Sequence, residues 1–356
     1  MKIVSATARL EAFDLVRPYT IAFRQVTAVE NLIVELRTDN GLVGLGAAAP
    51  EPHVTGETTD LCAQALLGSA LDWLMGCDGR ELESLLRELA RRTPGAPAAR
   101  AAVDGALHDL FAQFLGLPLV QVLGQVHPAL PTSITIGIKP LTETLEEADE
   151  YLGRGFRILK VKVGRNLEED IERLVFLRER VGPHIALRVD PNQGYTVDQL
   201  TKFVERTETL DLEFFEQPVK AASIADLCPL PAAIRRRIAA DESLLDEADA
   251  LGLVRLAPVP CGIFNIKLMK CGGIAPARGI ARLAALAGID LMWGCMDESI
   301  VSISAALHAA LASPATRFLD LDGSFDLARD VVRGGFVVED GCLRPHGGPG
   351  LGLTLL

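Results

Sequence analysis

From about residue 130 onward, short apolar runs recur roughly every 25 residues, and this recurrence limits the fold more than any other feature of the chain. The runs are TSITIGI, RILKVKVG, IALRVDPN, LEFFEQP, RRIAADES, CGIFNIKLMK, GIDLMWGC and RFLDLDGS. Between them lie stretches with helical periodicity, such as residues 167–181, 197–210 and 275–287. Strand and helix alternating at this repeat describe parallel β/α units. Eight such strands within about 190 residues fit a closed barrel better than an open sheet. The expected fold class is therefore α/β, a (β/α)7β TIM-like barrel.

Ahead of the barrel the texture differs. Residues 2–13, 31–37 and 42–48 read as strands, with Asp39-Asn40-Gly41 as a hairpin turn. An Ala- and Leu-rich helical stretch follows from Thr58 to Leu115, broken at Gly76–Gly79 and Pro94–Pro97. Strands followed by a block of helices predict a segregated α+β domain over 1–128. The barrel is expected over 129–324. The tail, 325–356, is too short for a domain and is expected to pack back on the first one.

Composition narrows the partners. The 356-residue chain carries 35 Lys and Arg against 47 Asp and Glu, a net charge of −12, which argues against a nucleic-acid or acidic-membrane partner. Seven scattered cysteines without a C-x-x-C pair, and an N-terminus lacking a signal peptide or long apolar run, lead us to expect a reducing cytoplasm.

The polar residues fall at one place in each unit. Asp190, Glu216 and Asp241 end three consecutive strand runs, 26 and 25 residues apart. At the C-terminal ends of barrel strands they converge on the mouth, where barrel active sites lie. Three hard oxygen donors without His or Cys suit Mg²⁺. In RILKVKVG, Lys160 and Lys162 share one strand face, which points into the barrel. Lys267 lies on strand six, across the barrel from strand two, so Lys162 and Lys267 flank whatever binds the metal. Lysines on both faces suit proton transfer at a carbon next to a carboxylate. One removes the proton and the other returns it, while the metal stabilises the enediolate and the α-carbon inverts.

K-x-K at 160–162, D-x-N at 190–192, E-Q-P at 216–218, A-D-E-S at 240–243 and N-I-K at 265–267 together resemble the muconate-lactonising subgroup of the enolase superfamily. The resemblance spans nearly the whole chain and implies that the α+β domain, with the tail, caps the barrel. Asp320-Leu321-Asp322 resembles the D-x-D of dipeptide epimerases, which holds the substrate's free α-ammonium. By the same resemblance Lys162 and Lys267 are the acid/base lysines, Lys160 binds the substrate carboxylate, and Asp190, Glu216 and Asp241 bind one Mg²⁺. Thr135 contacts the dipeptide, and Arg24, in the capping loop YTIAFR, receives an acidic second side chain.

The chain departs from the alanyl-glutamate epimerase pattern at two acids. Asp297 stands where that pattern has an apolar residue, and Glu51 adds an acid in the other capping loop. Both favour a cationic dipeptide, whereas Arg24 pulls toward an acidic one. Alternatively Asp297 only caps the next helix and Glu51 is solvated. The expected activity is a cytoplasmic, homo-oligomeric dipeptide epimerase. L-Ala-D/L-Glu specificity, N-acylamino acid racemase, o-succinylbenzoate synthase, muconate cycloisomerase and a catalytically silent barrel are the alternatives. His308, Cys261, Cys271 and Cys295 are expected to be packing residues.

Overall fold

The computed structural model describes residues 1–21 and 24–356, and their side chains except those of residues 18–26. Three antiparallel strands open the chain: β1 (Ile3–Ile21), β2 (Arg24–Thr38) and β3 (Val43–Ala48). Both β1 and β2 run further than their apolar alternation indicates. Among the described side chains beyond the Phe13–Val29 pair, Leu15 is buried while Asp14, Val16, Thr27 and Ala28 are exposed, so little inward face marks the ribbon in the sequence.

The helix Pro97–Leu115 lies on this sheet. A Cβ at Gly46 would collide with the Ala102 carbonyl, so glycine on the strand and alanines on the helix let the two backbones meet. The helix begins on a borrowed cap: Glu57, distant in sequence, accepts hydrogen bonds from the Ala98 and Ala99 N–H groups at 2.6 and 3.2 Å.

After a two-residue strand, β4 (Leu130–Pro131), eight parallel strands follow. They are β5 (Ile134–Ile136), β6 (Ile158–Lys162), β7 (Ala186–Asp190), β8 (Leu212–Glu216), β9 (Ile238–Ala240), β10 (Ile263–Ile266), β11 (Asp290–Gly294) and β12 (Thr316–Asp320). Their spatial order is their sequence order. The first and last strands meet through one bridge, Thr132 with Leu319, where the Ser133 N–H donates to the Leu319 carbonyl at 3.0 Å. Phe214, Ala239, Ile263, Met292 and Phe318 form an apolar cluster at the N-terminal end of the barrel interior. The charged layer lies above it, at the strand ends.

The tail contributes β13 (Val332–Gly334) paired with β16 (Leu353–Leu355), and β14 (Phe336–Glu339) and β15 (Cys342–Pro345), which extend from β4. Buried Asp109, on the helix Pro97–Leu115, accepts from Leu45 N–H at 2.9 Å and Leu351 N–H at 2.8 Å, so one carboxylate ties β3 to the tail. Asp104, one turn earlier, accepts from Ile274 N–H at 2.6 Å and Ala275 N–H at 3.2 Å, the start of the barrel helix Ile274–Ala287. Gly273 precedes that helix at φ +116°, and a Cβ there would collide with the Asp104 carboxyl, so only glycine leaves room for this cap. No helix among the described residues is long and apolar enough to cross a membrane.

Candidate active site

Parallel strands present their last residues at one mouth, and the charged residues of the sequence collect there. Asp190 and Glu216 end β7 and β8, Asp241 directly follows β9, and all three are buried. Lys160, in the middle of β6, is also buried. Its Nζ lies 3.2 Å from Asp190 Oδ2, 2.7 Å from Glu216 Oε2 and 2.8 Å from Asp320 Oδ2. Against the downward push of burial, these carboxylates hold the Lys160 ammonium well above the usual lysine range. Lys160 is expected from the sequence to meet the substrate's carboxylate; here its ammonium is surrounded by the protein's own.

The two other lysines stand on separate carboxylates. Lys162 Nζ donates to Asp190 Oδ2 at 2.6 Å and to Asn192 Oδ1 at 2.8 Å, and its side chain is 29% exposed. Lys267, immediately after β10, donates to Asp241 Oδ2 at 2.8 Å. Burial would lower Lys267, but Asp241 and Glu216 hold it above its ordinary value. Lys270, on the short helix Leu268–Cys271, grips Asp241 from the other side, at 2.5 Å to Oδ1 and 2.6 Å to the backbone carbonyl.

The carboxylates repel one another. Burial and the charges of Asp190 and Asp241 push Glu216 up to about 8, although Lys160 and Lys267 oppose the shift. Burial also raises Asp241, but Lys267 and Lys270 bring it well below the carboxylate range. Asn265 donates to Glu216 Oε1 at 2.9 Å, while buried Glu216 Oε2 receives no well-directed hydrogen bond. Among the described residues no three acidic, imidazole or thiol groups already surround one point at ligand distance. Ammonium groups occupy the carboxylate oxygens instead. An all-oxygen donor set of three buried, mutually repelling carboxylates nevertheless fits a small hard dication.

Around the mouth, Asp320 and Asp322 have different partners. Asp320 Oδ1 accepts from the Ser133 hydroxyl at 2.6 Å and its Oδ2 lies against Lys160. Asp322 Oδ2 accepts from the Thr135 N–H at 2.7 Å, and burial together with Asp320 pushes its carboxyl up to about 7. Thr135 thus reaches the site through its backbone as well as its strand position. Asp297 is half-buried beside β11, and its carbonyl accepts from Asn31 at 3.3 Å. The N-cap residue of the next helix is Ser299, accepting from Val301 N–H at 3.2 Å. Half-buried Glu51 caps the four-residue helix Pro52–Thr55, accepting from His53 N–H at 3.1 Å. The Arg24 side chain lies outside the described residues.

Ser133, Arg188, Asn192, Asn265 and Lys270 also enter the site, and sequence reasoning gave none of them a role. The spacing offered a signal for two: Arg188 precedes Asp190 by two residues and Asn265 precedes Lys267 by two, so each shares its partner's inward face. His308 packs inside its helix, accepting from Val120 N–H at 2.8 Å, and the seven cysteines are free thiols.

With this geometry in view, comparison with known proteins is informative. Residues 4–124 match the model "Mandelate racemase / muconate lactonizing enzyme, N-terminal domain", and residues 143–356 match "Enolase C-terminal domain-like". The chain is 62% identical over 354 residues to the L-Lys-D/L-Arg epimerase of Methylococcus capsulatus, covering 99% of each. It is 57% identical over 353 residues to the L-Lys-D/L-Arg epimerase of Desulforapulum autotrophicum, again covering 99% of each. It superposes with a TM-score of 0.97 on a crystal structure of the dipeptide epimerase from Methylococcus capsulatus complexed with Mg and the dipeptide L-Arg-D-Lys. That match is at 62% identity and covers 99% of this chain and 100% of the other.

Proposed function

From the fact that this chain belongs to the enolase superfamily, in its mandelate racemase/muconate lactonizing branch, we infer that it is a Mg²⁺-dependent dipeptide epimerase preferring cationic dipeptides. The observation that carries the reading is the pair Lys162 on Asp190 and Lys267 on Asp241, two separate amines on two members of one carboxylate trio. Asp190, Glu216 and Asp241 would hold the metal, whose positive charge stabilises the enediolate of the dipeptide's C-terminal residue.

The chain's own residues do the rest. In one direction the neutral amine of Lys162 takes the α-proton and the ammonium of Lys267 delivers one to the opposite face; in the other direction the roles exchange. Lys267 must lose its proton to act as base, so the carboxylates that hold it charged must first be neutralised. Asp322, with one oxygen held by Thr135, receives the α-ammonium of the first residue, and Asp320 supports it through its ties to Ser133 and Lys160. Lys160, which the resemblance assigns to the substrate carboxylate, also keeps the protein's own carboxylates in register. Glu51 and Asp297 face the second side chain and favour a cation there. A homo-oligomer in the cytoplasm completes the reading, in keeping with the free thiols.

The test is a panel of kinetic constants with Mg²⁺, comparing dipeptides of Lys and Arg with L-Ala-L-Glu, alongside α-proton exchange in heavy water. Cationic dipeptides should lead by at least tenfold in kcat/KM, and Asp297→Asn with Glu51→Gln should erode that lead. A win for alanyl-glutamate overturns the preference. Absence of exchange with every dipeptide overturns the epimerase.

A further inference from the structure

Arg188 is the least expected charge in the barrel. It sits in the middle of β7, 1% exposed, with its guanidinium carbon 5.2 Å from the Phe214 ring centre and 5.1 Å from that of Phe318. A buried guanidinium is costly unless its donors are satisfied. Here Nε donates to Glu213 Oε2 at 2.7 Å, and Nη1 donates to the Leu319 carbonyl at 2.7 Å and to Ser133 Oγ at 3.1 Å.

Those last two acceptors lie on the seam where the sheet closes on itself. The first and last strands share a single bridge there, so the backbone alone holds the seam weakly. The seam also carries Asp320, Asp322 and Thr135. Because Ser133 Oγ accepts from Arg188, its own proton is turned away, and Asp320 Oδ1 stands at 2.6 Å to receive it. Asp320 Oδ2 in turn holds Lys160, which reaches Asp190 and Glu216. Hydrogen bonds thus link Arg188 through Ser133 and Asp320 to Lys160, and ion pairs continue the link to Asp190 and Glu216 at the mouth.

We propose that Arg188 is a positioning residue which, through the hydroxyl of Ser133, orients Asp320 and Lys160 and thereby sets the spacing of the carboxylates Asp190 and Glu216. The inference rests on the function proposed above for its kinetic consequences, but its first consequence, on the carboxylate cluster, can be measured without turnover. Arg188 touches no substrate in this arrangement. It acts only through its neighbours.

The test is a double-mutant cycle of Ser133→Ala and Arg188→Met in the full-length protein. Thermal melts serve as the folding control, calorimetry measures Mg²⁺ dissociation, and kcat and KM are followed with a cationic dipeptide. Ser133→Ala removes only a hydroxyl, so it should fold as the parent does. It should weaken Mg²⁺ binding about fivefold and lower kcat about tenfold, with KM changed less than threefold. Arg188→Met should do the same or somewhat more, and the double variant should fall no lower in kcat than the worse single one, because both cut one chain. Arg188→Lys, which can still donate to Ser133, should recover part of the loss. The proposal is overturned if Ser133→Ala leaves Mg²⁺ affinity and kcat at parental values, or if the two kcat losses multiply. If the parent epimerises no dipeptide, the assigned function fails while the Mg²⁺ arm still decides the role of Arg188.

Discussion

Two sets of buried carboxylates in this molecule are satisfied in two ways. In the capping domain, Glu57, Asp104 and Asp109 accept hydrogen bonds from backbone N–H groups. In the barrel, Asp190, Glu216, Asp241 and Asp320 lie against lysine ammoniums. A backbone amide is fixed and cannot leave, so the first group holds parts of the chain together. An ammonium can move its proton or be displaced by another cation, so the second group is free to take part in chemistry. The partner, rather than the burial, separates the structural acid from the functional one.

The largest expected effect tests the barrel half of this contrast. Lys162→Ala and Lys267→Ala should each reduce epimerisation by about 10³-fold, within the range for a lost general acid or base. Each variant should still exchange the α-proton from one configuration of the dipeptide, seen by NMR in heavy water. Loss of exchange from both configurations in both variants would show that the lysines only hold the carboxylates.

The next effects concern the cap. Burial raises Asp109 to about 6, from an ordinary 3.8, despite its two amide donors. The native state therefore holds a proton that the unfolded chain has already lost between those values. The contribution is fully present below about pH 4 and is lost as pH rises through about 6, amounting to about 3 kcal/mol. Urea unfolding of the parent minus Asp109→Asn should show this slope; a flat difference breaks the assignment. Asp109→Ala at pH 7 removes a costly charge but orphans the Leu45 and Leu351 N–H groups, for a net loss of about 2 kcal/mol. Turnover by the folded fraction should not change, since nothing at the mouth touches Asp109.

The smallest effect sharpens the comparison within the barrel. Asp322 has an amide donor and a like-charged neighbour, Asp320, which with burial raises its carboxyl to about 7. Only its ionised form attracts an α-ammonium. Accordingly kcat/KM should fall about tenfold per pH unit below that value, and Asp322→Asn should abolish this limb while lowering the plateau. An unchanged profile in the variant would move the ammonium site elsewhere.

The contrast also explains what could be read in advance. Asp190, Glu216 and Asp241 close apolar runs, so strand periodicity places them at the mouth without further information, and the alternation in RILKVKVG turns both of its lysines inward. Asp104 and Asp109 give no such sign: in an Ala-rich helix they look like its solvent face, and only the packed tail and barrel helix reveal their amide partners. Arg188 is hidden for a related reason. Its spacing from Asp190 turns it inward, but a lone mid-strand charge gives no sign of what satisfies it until the Phe214 and Phe318 rings and the Ser133 and Leu319 acceptors around it are known. The Tyr19–Arg24 segment, read as a loop over the site, extends β1 and β2 through Ile21 and from Arg24, because cross-strand hydrogen bonds leave no hydrophobic trace.

The cap that Asp104 supplies to the helix Ile274–Ala287 bears on how such proteins can be recombined. The chain border near residue 128 looks like a natural place to exchange halves between relatives, joining one specificity-bearing front to another chemistry-bearing back. Yet the helix entry seven residues beyond Lys267 is completed by a side chain from the front half, in a space that only Gly273 leaves open. A hybrid that inherits one without the other starts with a frayed helix close to Lys267. Positions 104 and 273 therefore have to travel as a pair, and the real module boundary is a pair of hydrogen bonds rather than a point in the chain.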